Sequence, residues 1–338
     1  MDQEKPLKEV RRDSVAHMKS TPITFDKCLA IEDDYYMFSS RPNGIDDSAE
    51  FSRIFFYDAQ SSGDPWRHLD LPNFTTVSIC SSIKAMGDRR KYVILSKNGE
   101  ISVYWPGGAS TENIAEAGVD KELPIYGYLN SLKEINGALY ACGGGGQIYK
   151  RGKNGWRDIA GKLRKQSPIP KANLALNTLE TGDDISDIDG YSEDNIYAAG
   201  RDGIYHFDGR LWSKVDISTD EILMSIFCAP DGVIWACGFN GAILRGDFKN
   251  GFKDISHYDD NMILTKMIFF QNRIYFSSNE GLFSLDYKKE KSKLYKIKEI
   301  KECDDISVHK ETLLCIGPKK ITIFNNNGHR ELKHPDLK

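Results

Sequence analysis

No run of about 18 apolar residues occurs anywhere in the 338-residue chain, which leaves no candidate for a helical membrane span. Residues Met1 to Ser20 alternate charges around no apolar stretch, so no signal peptide is expected. Paired cysteines are missing. None of the seven (Cys28, Cys80, Cys142, Cys228, Cys237, Cys303 and Cys315) forms a C-x-x-C pair, and the odd count argues against a secreted disulfide framework or a zinc ribbon. Most lie in apolar runs such as Tyr140-Ala141-Cys142, where a thiol behaves as a small hydrophobe, so buried, reduced cysteines in a cytoplasmic protein are expected. A basic excess is missing as well. Lys plus Arg number 45 against 49 Asp plus Glu, a net charge of −4, which argues against a nucleic-acid binder. The seven histidines show no H-E-x-x-H spacing, and no G-x-S-x-G elbow occurs. Neither a metal nor a cofactor is expected.

What the chain has is enough apolar content for a sizeable core, 40% hydrophobic with 28% charged, and a repeated pattern. Leu139-Tyr140-Ala141-Cys142-Gly143 is followed by Gly146 and Ile148-Tyr149. Ile196-Tyr197-Ala198-Ala199-Gly200 is followed by Gly203 and Ile204-Tyr205, and Ile234-Trp235-Ala236-Cys237-Gly238 by Gly241 and Ile243-Leu244. Weaker copies start at Ile274 and Tyr92. Each is a β-branched and aromatic strand, a turn ending in Gly, and a second strand, which is a hairpin pattern. An aromatic then opens a short outer strand: Trp156, Trp212 and Phe252, with Trp66 as the counterpart in the first unit. Gly200 to Gly238 spans 38 residues and Gly238 to Ser278 spans 40, whereas Gly143 to Gly200 spans 57, so an insertion lies at 161–183. Four-strand units of about 40 residues are propeller blades, which must stack around a ring to cover their faces.

The expected fold is therefore all-β, a β-propeller of seven four-stranded blades over roughly 23–70, 74–115, 125–160, 184–218, 222–257, 262–300 and 303–334. Six blades with an irregular start is the alternative. Residues 1–22 form an N-terminal arm or edge segment, and 23–338 a single propeller domain. No shared blade joining the termini is evident. The pattern Ala-x-Gly-x-x-Gly, Ile, turn, Trp over 138–156, 195–212 and 233–252 resembles single-ring propellers of the sialidase-like and photosystem-assembly-factor-like kind. Such a resemblance implies the fold and hardly constrains the function. A sialidase reading needs an arginine cluster and a Phe-Arg-Ile-Pro-like strand. Ser52-Arg53-Ile54-Phe55 lacks the flanking Phe and the Pro, and Arg53 is expected at the rim.

Other candidate motifs reduce to structure. The run Gly143 to Gly146 is followed by Gln147-Ile148-Tyr149, a strand rather than the helix a phosphate cradle requires. Asp183 to Gly190 in calcium-loop register places Ile185 and Ile196 at ligand positions, so it reads as an inner strand. Lys288 to Lys301 crowds seven lysines, which suits protection of an outer strand against edge pairing.

Charge carries the functional reading. Acidic pairs precede successive inner strands: Asp183-Asp184, Asp220-Glu221, Asp259-Asp260 and Asp304-Asp305, with a looser Asp120 and Glu122. In a propeller these links emerge on the same face as the turns between second and third strands, which would build an acidic arc around one channel mouth. The local alternative is that Asp caps such turns. Partner contacts are expected from Asp183, Asp184, Asp220, Glu221, Asp259 and Asp260, with Arg201, Phe239, Asn240 and Glu280 from neighbouring turns. The insertion either adds partner contacts or is a passive excursion. The expected function is a non-enzymatic, cytoplasmic, monomeric protein-binding propeller with no nucleic-acid or membrane partner. In organisation it is similar to bacterial immunity (antitoxin) proteins, which implies occlusion of a cognate, possibly basic, toxin domain. Alternatives are a carbohydrate-active propeller enzyme or lectin, with Tyr191, Trp235 and Tyr275 as sugar platforms, and an assembly scaffold.

Overall fold

A computed structural model describes residues 21–337 except 47, 88, 120–125, 165–183, 260, 290–291 and 327. The chain folds into seven four-stranded antiparallel sheets, each contiguous in sequence, with its strands in chain order from inner to outer. The blades occupy 23–72, 76–113, 129–158, 185–214, 223–254, 264–296 and 305–332, so the count is seven rather than six. The second strands are the apolar runs of the repeat. Ala138–Gly143, Ile234–Gly238 and Thr312–Gly317 are buried along their whole length, because a blade's middle strands are covered on both faces. Outer strands are short and largely exposed, down to the two residues Tyr295–Lys296 in the lysine-rich stretch. The aromatics that open outer strands fold back onto their blades. Trp212 lies 5.0 Å from Phe207, and its Nε1 donates to the Ile159 carbonyl of the preceding blade at 2.9 Å.

Seven apolar clusters hold the ring, one at each junction between neighbouring blades. The closing junction is built like the others: Phe25, Phe38 and Phe55 of blade 1 pack on Leu314, Ile316 and Ile321 of blade 7. Among the described residues no sheet is shared between the termini. Closure is made by Phe25 N donating to the Pro318 carbonyl at 3.0 Å, Ile23 N to the Asp336 carbonyl at 3.3 Å and Lys319 Nζ to the Ile23 carbonyl at 2.7 Å.

Near the start of six inner strands a bulge interrupts the pairing, between Phe25 and Lys27, Thr76 and Ser78, Leu129 and Ser131, Ile185 and Asp187, Leu223 and Ser225, and Leu264 and Lys266. A bulge adds one residue, and consecutive residues of these strands line the central channel, among them Asn130 and Ser131, Ser186 and Asp187, and Thr265 and Lys266. The links pass close over the second turns, where a side chain has no room. At Gly241 (φ +72°) a Cβ would sit 2.3 Å from the His257 carbonyl oxygen.

Arg53 is not at the rim. It is buried in blade 1, with Nε and Nη2 on the two Asp70 oxygens at 2.7 and 2.9 Å. The seven cysteines are all free, and burial pushes the Cys28, Cys142 and Cys237 thiols well up and Cys80 to about 12. Residues 1–20 of the expected N-terminal arm (1–22) and residues 165–183 of the expected insertion lie outside the described residues.

Candidate partner-binding face and channel mouth

The links and second turns lie together on one face and are stitched to each other. Arg201 N donates to the Asp184 carbonyl at 3.0 Å, Phe239 N to the Ile222 carbonyl at 2.9 Å, and Asp259 N to the Asn240 carbonyl at 3.2 Å. Asp184 is half-buried, and its Oδ1 accepts from Gly145 N at 3.1 Å, capping the glycine turn of blade 3. Glu221 is half-buried and holds Asn240 Nδ2 at 3.1 and 3.0 Å. Glu280 pairs with Lys296 at 3.3 Å. These acids do local structural work, as the capping alternative anticipates. Asp220 and Asp259 are exposed, as is Arg201, while Phe239 is half-buried. Asp183, Asp260, Asp120 and Glu122 lie outside the described residues.

Between the second turn of blade 4 and the link to blade 5 this face opens into a cavity of about 490 Å³, lined by Arg201, Asp202, Lys214, Asp216, Asp220 and Glu221 among others. Four carboxylates there meet two cations, and Lys214 is already held by Asp202 at 2.9 Å. Hydrogen bonds from Tyr205 and Lys214 hold the Asp202 carboxyl below its ordinary range. Asp202 and Asp216 carry no acidic-pair signal in the sequence, because each is a single acid flanked by uncharged or basic residues.

The Asp304-Asp305 pair does not act as a pair on the surface. Asp304 is exposed, whereas Asp305 is buried in the channel wall, where it accepts from Lys266 Nζ at 2.7 Å and from Cys28 N at 2.8 Å. Asp187 repeats the device between blades 3, 4 and 5. Ser131 Oγ donates to one oxygen at 2.8 Å, and Ser225 Oγ and Ile226 N to the other at 3.0 and 3.1 Å. Next along the strand, Asp189 takes Cys228 N at 2.9 Å and Lys133 Nζ at 2.9 Å. Burial opposes the Lys133 charge, but Asp189 and Asp187 outweigh it and raise its pKa. The channel is thus polar and cross-braced rather than apolar and plugged. Trp235 is fully buried, stacked under Arg245 at 4.9 Å, and is no sugar platform. Tyr191 is tied by its hydroxyl to the Ala229 carbonyl at 2.5 Å. Among the described residues no group of three His, Cys, Asp or Glu is placed to hold a metal ion.

No family model matches the chain. Its sequence is similar to that of an immune protein. Over 196 residues it is 31% identical to the immune protein Tsi7 of Pseudomonas aeruginosa, a match that spans 57% of this chain and 60% of that protein. Among solved structures, YCF48 bound to D1 peptide is 14% identical with a TM-score of 0.59, covering 93% of each chain. A catalytically inactive virginiamycin B lyase from Staphylococcus aureus with quinupristin is 12% identical with a TM-score of 0.61, covering 89% of this chain and 94% of that one. At such identities the two structures speak for the propeller fold and not for a shared activity.

Proposed function

We propose that the chain is a cytoplasmic, monomeric immunity protein, without enzymatic activity or cofactor, that binds a toxin domain on the face of links and second turns and blocks it by occlusion. The observation that carries this reading is the 31% identity to the immune protein Tsi7. The acidic cavity between the second turn of blade 4 and the link to blade 5 supports it. Uncompensated carboxylates on a rigid rim attract a basic partner and speed its capture. The test is a pull-down from the native host with mass spectrometry and a salt series, followed by co-expression of the recovered partner with and without this chain. The expected result is one stoichiometric partner, weakened by salt, whose toxicity this chain abolishes. Reversing charge at the exposed pair, Asp220→Lys with Asp259→Lys, should slow association about tenfold at low salt and less at high salt. Asp184 and Glu221 are poor choices for that test, because they are half-buried and their loss also frees a turn of a neighbouring blade, whereas Asp259 is exposed and takes only Asn261 N of its own link, at 3.2 Å. Unchanged association rates would remove the acidic face from the mechanism, and a recovered partner that is not toxic would remove the immunity role.

A further inference from the structure

We propose that the outer rim between blades 5 and 6 carries a carboxylate-binding site, built on Arg245 and Lys253, that takes an acidic side chain of a partner protein. The repeat itself points to it. In blade 3, Tyr140 of the second strand pairs in register with Lys150 of the third, and the Lys150 ammonium lies over the Tyr140 ring at 5.7 Å. Glu193, in the turn between the first two strands of blade 4, closes the arrangement with an ion pair at 2.8 Å. Blade 4 repeats the geometry with Tyr197 and His206, ring centroids 4.7 Å apart, and Phe248 of blade 5 stacks on His206 at 4.4 Å. In both blades the next blade covers the third-strand residue.

Blade 5 keeps the pair and loses the cover. Trp235 pairs in register with Arg245, whose guanidinium lies over the indole at 4.9 Å. The first turn of blade 6 is Gln271-Asn272 where blade 4 has Glu193-Asp194. Neither is anionic, and the Gln271 amide turns towards blade 7, donating to Asn326 at 2.5 Å. Among the described residues the half-buried Arg245 meets no hydrogen-bond acceptor and no carboxylate. Lys253 is its register partner on the fourth strand, so both cations stand on the same side of the sheet. Lys253 is exposed and likewise has no ion pair among the described residues. Tyr287 of blade 6 walls the place, its ring 6.1 Å from that of Trp235. A partly buried charge without a counter-ion is costly, and the donor fork of a guanidinium matches the two oxygens of a carboxylate. Arg245 and Lys253 line neither cavity described above, so the acid they take is one anchored by a larger molecule. The site stands outside the face of links and turns and does not rest on the immunity reading.

Nuclear magnetic resonance reads this place directly. The Arg245 Nε–Hε signal of the full chain, assigned by its absence in Arg245→Gln, is followed during titration of a capped tetraglutamate peptide, of succinate and of inorganic phosphate, with ionic strength held constant by chloride. A saturable shift with tetraglutamate is expected, shared by the Trp235 indole N–H signal. Read at that indole, affinity for the peptide should fall about tenfold in Arg245→Gln, and about threefold in Lys253→Met. Both side chains stand at the rim, so the variants are expected to fold, which circular dichroism checks. No response of Arg245 to tetraglutamate, or unchanged affinity in both variants, overturns the site. Tighter binding of phosphate than of the peptide assigns the cations to a phosphate-bearing partner and overturns the carboxylate, and succinate binding as tightly as the peptide overturns the protein partner. Glu290 lies outside the described residues, so Glu290→Gln is titrated as well. Unchanged affinity supports the open site, and a rise of about tenfold assigns Arg245 to the chain's own acid and overturns it.

Discussion

Removing Asp305 tests how the ring closes. In Asp305→Ala, Cys28 N at the seam between blades 7 and 1 loses its acceptor at 2.8 Å, and the Lys266 ammonium loses its carboxylate at 2.7 Å. A buried donor left unpaired costs about 1–3 kcal/mol, and breaking a buried ion pair about 3–5 kcal/mol. The Lys266 side chain is 40% exposed, so water recovers part of its loss, and the sum comes to about 3 kcal/mol. With an unfolding entropy of about 2.1 cal/mol/K per residue, that lowers Tm by about 4 °C in a domain of this size. The assay is thermal unfolding by circular dichroism, on the single variant, on Lys266→Met and on the pair. The double variant should recover about 1–2 kcal/mol relative to additivity, because Lys266 no longer stands uncompensated. A shift below about 1 °C in Asp305→Ala, or strict additivity, refutes the argument that this carboxylate clamps the seam.

The C-terminal tail supplies a pH signature. His334 is buried against Phe55 and Trp66, each with ring centroids at 4.4 Å, and burial lowers its pKa to about 4. The unfolded chain takes up a proton near pH 6.5 and the folded chain does not. This contribution is therefore complete above about 6.5 and lost as pH falls to about 4. Urea unfolding should show about 2 kcal/mol more acid loss for the wild type than for His334→Phe across that window, and parallel curves would contradict it. Gly200 is a steric site: its Cβ would lie 1.8 Å from the Asp184 carbonyl oxygen, so Gly200→Ala should destabilise by about 3 kcal/mol in the same assay. A neutral Gly200→Ala would mean that the link is free to move away.

The repeat was readable because its signals are local. Ile196-Tyr197-Ala198-Ala199-Gly200 and its copies carry apolar runs, turn glycines and a following aromatic, and each of the seven expected units overlaps an observed blade. Trp66 alone marks the outer strand of the first unit, and it opens that strand. The acidic pairs were equally visible as sequence. Their fates were not, because an Asp beside a turn looks the same whether it is half-buried and caps a neighbouring blade's amide, as Asp184 does, or is exposed, as Asp220 is and as Asp259 is while it takes Asn261 N at 3.2 Å. The burial of Arg53 is hidden from the sequence for the same reason: its partner Asp70 stands 17 residues away, and only strand pairing brings the two together.

Periodicity alone determined the all-β class and the hairpin units within the blades, since those follow from short-range pattern, while the choice of seven blades over six came from the sheets themselves. Tertiary structure decided everything that depends on which residues meet across blades. It set the closure of the ring without a shared sheet and the division of Asp304 and Asp305 between solvent and channel wall. It also gathered Asp26 and Asp304 at one mouth. These two belong to the first and last blades and are separated by nearly the whole chain. No local pattern records such proximity, which arises only when seven apolar junctions bend the chain into a closed circle.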